Sequence, residues 1–204
     1  MRATKHYENF IGGGEGTEFE WDIFGAADTK NPEYQKELER VTKPNDFVFY
    51  RDALKLAKKF QPGDPGNPKR AFARDLRIEI IDLLGLTEEK DMDRIKFYTA
   101  IGTPLDKWHS IDGFFEIEQE HRPPIMITFD TTTLTAEQKQ ERGQKIKADI
   151  LISDKELDIS NEKTLPEKTT MLAKEIVNIF KEKQEQTNKK NVPEGKYSPP
   201  RRTV

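Results

Sequence analysis

Asp112 and Asp130 are the residues of this chain whose type and spacing point most directly to chemistry. They stand in the runs Ile111-Asp112-Gly113-Phe114-Phe115-Glu116-Ile117 and Ile125-Met126-Ile127-Thr128-Phe129-Asp130-Thr131-Thr132, which read as two short strands. An ionised carboxylate on a half-buried strand is costly unless a cation or several hydrogen-bond donors compensate it. Two of them, eighteen positions apart on neighbouring strands, point to a divalent metal site. Alternation puts Asp130 and Thr132 on the same, more polar face as Met126 and Thr128, with Ile125, Ile127 and Phe129 on the other. Each acid also has a plainer use: an aspartate before Gly113 suits a turn, and one before three threonines suits a cap.

The elements around these strands follow from periodicity and breakers. A helix is predicted over 46–60, ended by the breaker-rich loop Gln61-Pro62-Gly63-Asp64-Pro65-Gly66-Asn67-Pro68. A second runs from Pro68 to about Leu84 with Gly85 as its C-cap, and places Phe72, Leu76, Ile80 and Leu83 on one arc with Glu79 at the edge. Residues 94–101 read as a strand, 102–110 as a loop, and 111–118 and 124–131 as the aspartate-bearing strands. A polar helix with Thr135 as N-cap, a strand at 147–152 and a long helix over 166–186 complete the order helix, three strands, helix, strand, helix.

Composition bounds the rest. With 204 residues, 34% hydrophobic and 35% charged, the chain has room for one ordinary core with polar extensions. The expected division is an N-terminal extension over 1–45, flexible at Ile11 to Gly16 and tethered by its aromatics, an α/β domain over 46–187, and a disordered basic tail over 188–204. The glycine-rich piece lacks the lysine and hydroxyl ending of a phosphate loop, and no clear helix follows it. A net charge of -3 gives no global attraction to nucleic acid, so such binding would need a local basic face or the tail. The absence of cysteine excludes disulfides, zinc-thiolate sites and thiol nucleophiles. No apolar run is long enough for a membrane span or an export signal, so the expectation is a soluble, cytoplasmic protein.

The order of elements, taken with the two acids, resembles the core of the PD-(D/E)xK nuclease superfamily over Pro68 to Ile152, under half the chain. The resemblance implies a restriction-endonuclease-like α-β-β-β-α-β core, with a central mixed sheet flanked by helices. It implies that Asp112 and Asp130 bind Mg²⁺ or Mn²⁺, that Glu79 matches the extra acid some members take from the first helix, and that nucleic acid, DNA or RNA, is the partner. The implied activity is phosphodiester hydrolysis, with an inactive nuclease-fold module binding nucleic acid or protein as the alternative. The family's lysine, two residues after the second acid, is Thr132 here. A threonine hydroxyl can hold water but supplies no positive charge, so catalysis needs another cation, for which Lys145 and Lys147 are the nearest in topology.

Overall fold

The computed structural model describes residues 15–141 and 145–190. It is a mixed α/β fold with a four-stranded open sheet between two layers of helices. In chain order the elements are α1 (Glu15–Phe24), α2 (Pro32–Val41), α3 (Tyr50–Lys59), α4 (Ala71–Leu83), α5 (Glu89–Met92), β1 (Ile95–Thr99), α6 (Pro104–His109), β2 (Gly113–Gln119), β3 (Arg122–Thr132), α7 (Ala136–Glu141), β4 (Ile150–Ser153) and α8 (Leu165–Lys190). The strands lie in the order β1-β2-β3-β4, antiparallel except for the parallel pair β3–β4. A parallel neighbour cannot be reached by a tight hairpin, so the chain crosses over through α7.

Strand alternation divides the core in two. Phe97, Phe115, Ile127 and Phe129 face one layer, where α4 supplies Leu76 and Ile80 and α8 supplies Ile176. Tyr98 and Phe114 face the other, where α2 and α3 supply Tyr34, Leu38 and Leu56. Within residues 15–45, α1 places Ile23 and Phe24 in the first cluster, and α2 places Tyr34 and Leu38 in the second.

Several elements differ from their predicted spans for identifiable reasons. Asp46 takes a left-handed backbone (φ 62°) and Phe49 is extended, so α3 begins at Tyr50 rather than at residue 46. The loop expected over 102–110 contains α6, which opens with Thr103 accepting from the Leu105 N–H and Pro104 in the first turn. Asp112 lies one residue before β2 and not within it. Its neighbour Gly113 is extended, and glycine is required there for space: a Cβ would stand 3.0 Å from Phe97 Cζ and 3.2 Å from Phe24 Cδ2.

Helix α1 starts at Glu15, inside the glycine-rich piece and where no helix was expected; residues 12–14 of that piece lie outside the described residues. Helix α8 runs to Lys190, three residues into the segment expected to be disordered, and the remaining basic tail from 191 onward also lies outside the described residues. Gly85 (φ 66°) closes α4 as expected, with its N–H on Asp82 O and the Leu86 N–H on Ile81 O. Among the described residues no helix is long and apolar enough to cross a membrane.

A candidate carboxylate and lysine site at the end of the sheet

Asp112 is fixed by its backbone before its side chain does anything. Its N–H donates to Phe129 O and its carbonyl accepts from the Ala100 N–H, both at 2.8 Å, which ties it between the ends of β1 and β3. Its carboxylate Oδ2 then accepts from the Thr131 N–H and from Thr131 Oγ1, both at 2.6 Å. Asp130, on β3, is next to that threonine. Alternation sends its side chain to the opposite face from Thr131, where Lys139 Nζ meets Asp130 Oδ2 at 2.7 Å. The two side chains of this ion pair are 10% and 12% exposed, so water screens it little.

Lys139 reaches Asp130 because α7 follows β3 after a capped turn. Thr132 Oγ1 accepts from the Leu134 N–H, which bends the chain. Thr135 Oγ1 then accepts from the Gln138 N–H, and Gln138 Oε1 accepts from the Thr135 N–H, a reciprocal capping box. Lysine at the fourth helical position comes back over the strand end. Thr132, which holds the position where the family has lysine, makes the turn that delivers Lys139.

Two further acids complete the group. The side chain of Asp106, on α6, accepts from the Gly102 N–H at 2.9 Å and lies near Asp112, whose carboxyl feels its charge. Glu20 comes from α1. Phe24 rests on Phe97 and Phe129 at ring distances of 5.0 and 5.6 Å, which lays α1 across the sheet. One helical turn back from Phe24 is roughly the same distance as two residues forward from Phe129, so Glu20 arrives near Thr131, whose hydroxyl proton is already donated to Asp112.

These carboxyls hold their protons more strongly than usual. Burial raises Asp112 well above the ordinary aspartate range, and the charge of Asp106 adds to it. Burial likewise pushes Asp106 up to about 6 and Glu20 up to about 7, with repulsion from neighbouring carboxylates contributing. Asp130 is raised by burial in spite of Lys139 beside it and the charge of Lys147. Asp112 and Asp106 are close enough that the charge of one raises the other, which favours the protonated form of both.

The other expected residues stand elsewhere. Glu79 accepts from Thr170 Oγ1 at 3.1 Å and joins α4 to α8, so the helix that meets the aspartates with a glutamate is α1 and not α4. Lys145 and Lys147 are exposed; only the charge of Lys147 registers at Asp130. His109 Nε2 contacts Val48 O at 3.0 Å, and a carbonyl only accepts, so that nitrogen carries the proton.

The residues missed in sequence are Glu20 and Lys139, whereas Asp106 is legible only as a loop acid that could bind substrate or be solvated. Lys139 had a signal, since the threonine cap makes it the fourth residue of a helix leaving β3. Glu20 had none beyond its residue type.

The donor set is all oxygen, which suits a hard cation such as Mg²⁺ or Mn²⁺. Among the described residues no group of three or more acidic or histidine side chains stands together as a finished metal cage. Mg²⁺ is commonly held by one or two carboxylates with several retained waters; Asp112 and Asp130 leave the end of the sheet toward opposite faces. Comparison with family models, with curated proteins and with solved structures finds no match to this chain.

Proposed function

We propose that this protein is a divalent-metal-dependent nuclease with a restriction-endonuclease-like core, hydrolysing nucleic-acid phosphodiester bonds. The observation that supports this reading is the ion pair of Asp130 on β3 with Lys139 on the helix that follows, while Asp112 is held by Thr131, the next residue of β3, on the opposite face. These are the groups the PD-(D/E)xK resemblance calls for, with the lysine moved from position 132 to α7. An antiparallel three-strand meander, a helix and a parallel fourth strand agree with the α-β-β-β-α-β order of that core.

The resemblance assigns the ion to Asp112 and Asp130, and since their side chains leave on opposite faces a shared ion would have to sit at the edge of the sheet between them. Such an ion, when bound, supplies charge neutralisation at the phosphate and a more acidic water. Thr131 keeps the Asp112 carboxylate in one orientation with two donors. Lys139 brings a positive charge to a buried position beside Asp130, where a phosphate oxygen needs one. Glu20, titrating near 7, is the group suited to take a proton from an attacking water at neutral pH.

The test is incubation of the full chain with labelled DNA and RNA in Mg²⁺, Mn²⁺ or chelator, beside Asp112→Asn, Asp130→Asn and Lys139→Ala. Metal-dependent products from the parent alone are the expected result. Binding without cleavage under every condition would replace this reading with that of an inactive nuclease-fold binding module.

A further inference from the structure

The loop before α3 and the first residue of that helix expose aromatic surface. Phe49 and Tyr50 are 54% and 42% exposed. They belong to one continuous set of rings: Phe47 meets Phe49, Trp108 and His109 at 5.6, 5.8 and 5.7 Å, and Tyr50 meets His109 at 5.4 Å. Lysine ammoniums lie over this surface, Lys43 at 5.1 Å from the Phe49 ring and Lys107 at 5.0 Å from that of Trp108. The loop is built rather than loose, since the Lys43 N–H donates to Phe47 O and the Asp46 N–H to Lys43 O, both at 2.9 Å.

Phe49 also occupies the N-cap position of α3 and makes no side-chain cap bond. Serine, threonine, asparagine or aspartate would stabilise the helix there, and phenylalanine does not. The Phe49 ring packs on Phe47 and under Lys43 and still leaves 54% of the residue exposed, which is surface offered to a partner.

The patch is linked to the carboxylates along the chain on two sides. Helix α6 carries Asp106 into the site, and Trp108 and His109 follow within a turn. Tyr50 lies near the other side: its hydroxyl is raised by burial and by the charge of Asp149, whose carboxylate accepts from the Thr128 N–H two residues before Asp130. Exposed Lys145 and Lys147 precede Asp149.

Aromatic rings bordered by lysines match a strand that offers base faces and phosphates together. A duplex keeps its base faces stacked inside and offers only the second. Resting on the nuclease reading above, we propose that Phe49 and Tyr50 form a stacking platform for unpaired nucleobases. The substrate class of this site is then single-stranded nucleic acid, or a strand locally unpaired.

Fluorescence anisotropy with labelled single-stranded DNA, single-stranded RNA and the matching duplex, all in chelator, tests this apart from cleavage. The expected result is single-strand binding stronger than duplex binding, weakened about tenfold or more in Phe49→Ser and in Tyr50→Ala. Met171→Ala, which removes an equally exposed side chain on α8, should bind like the parent. Because Phe49→Ser supplies a helix cap, its thermal midpoint should equal or exceed the parent's, which separates loss of stacking from loss of fold. The two single strands distinguish DNA from RNA as the source of the bases. Equal binding of duplex and single strand, or parental affinity in both ring variants, overturns the platform whether or not the protein cleaves. Single-strand binding lost in the variants, with no cleavage by the parent in any metal, upholds the platform and overturns the nuclease.

Discussion

Lys139 Nζ stands 2.7 Å from Asp130 Oδ2, nine residues along the chain, with both side chains nearly withdrawn from water. Removing one member of a buried ion pair leaves the other charged and unpaired, at a cost of about 3 kcal/mol. Lys139→Met is therefore expected to lower unfolding free energy by about that amount, read from urea titration, and to reduce cleavage about a hundredfold or more. Lys145→Ala, on exposed chain, should change both measurements little. Equal activity in Lys139→Met and the parent would remove the ammonium from the mechanism.

Thr131 offers a nearly isosteric test of how Asp112 is held. Thr131→Val deletes the hydroxyl bond at 2.6 Å and keeps the backbone one. The loss of a hydrogen bond to a carboxyl should cost about 1–2 kcal/mol, and Mg²⁺ affinity measured by calorimetry should fall, with Thr131→Ser restoring it. Unchanged affinity in Thr131→Val would separate Asp112 orientation from ion binding.

The raised carboxyls make stability depend on pH with a definite sign. Glu20 goes from an ordinary value of 4.5 to about 7 on folding, and Asp106 from 3.8 to about 6. The folded state thus binds more protons than the unfolded one. Its stabilisation is complete below pH 4 and is lost as pH rises through about 6 and 7. Without metal, the thermal midpoint should fall between pH 4.5 and 7.5, and Glu20→Gln should flatten that fall. Added Mg²⁺ should raise the midpoint at pH 7.5 far more than at 4.5, because protonated carboxyls do not ligate. A midpoint that rises with pH in chelator would contradict the buried acid cluster.

Gly113 couples the site to the core. In Gly113→Ala the new Cβ would meet Phe97 and Phe24 at 3.0 and 3.2 Å, the two rings that seat α1. Overpacking there should cost about 1–3 kcal/mol and displace Glu20 together with Phe24. The check is a lower thermal midpoint combined with a flatter pH dependence. A variant that loses stability yet keeps the parent's pH profile would show that Glu20 is held independently of that contact.

What the chain determines by itself is local. The alternation in Ile125 to Thr132 sets which face carries Asp130, and Gly85 ends α4 with a left-handed residue that glycine adopts most readily. Threonine and glutamine three residues apart start α7, which is enough to turn Lys139 back toward β3. Glu79 and Glu20 show where local pattern stops being decisive, for each is a glutamate on a helix beside an apolar stripe. Phe24 rests on Phe129 and brings Glu20 to Thr131, while Leu76 and Ile80 pack α4 with α8 and leave Glu79 with Thr170. Asp106 joins Asp112 only because a short capped helix forms in the link between β1 and β2. Periodicity states which side of a helix is apolar, whereas the partner of that side depends on how rings and strand ends far apart in the chain fill space together.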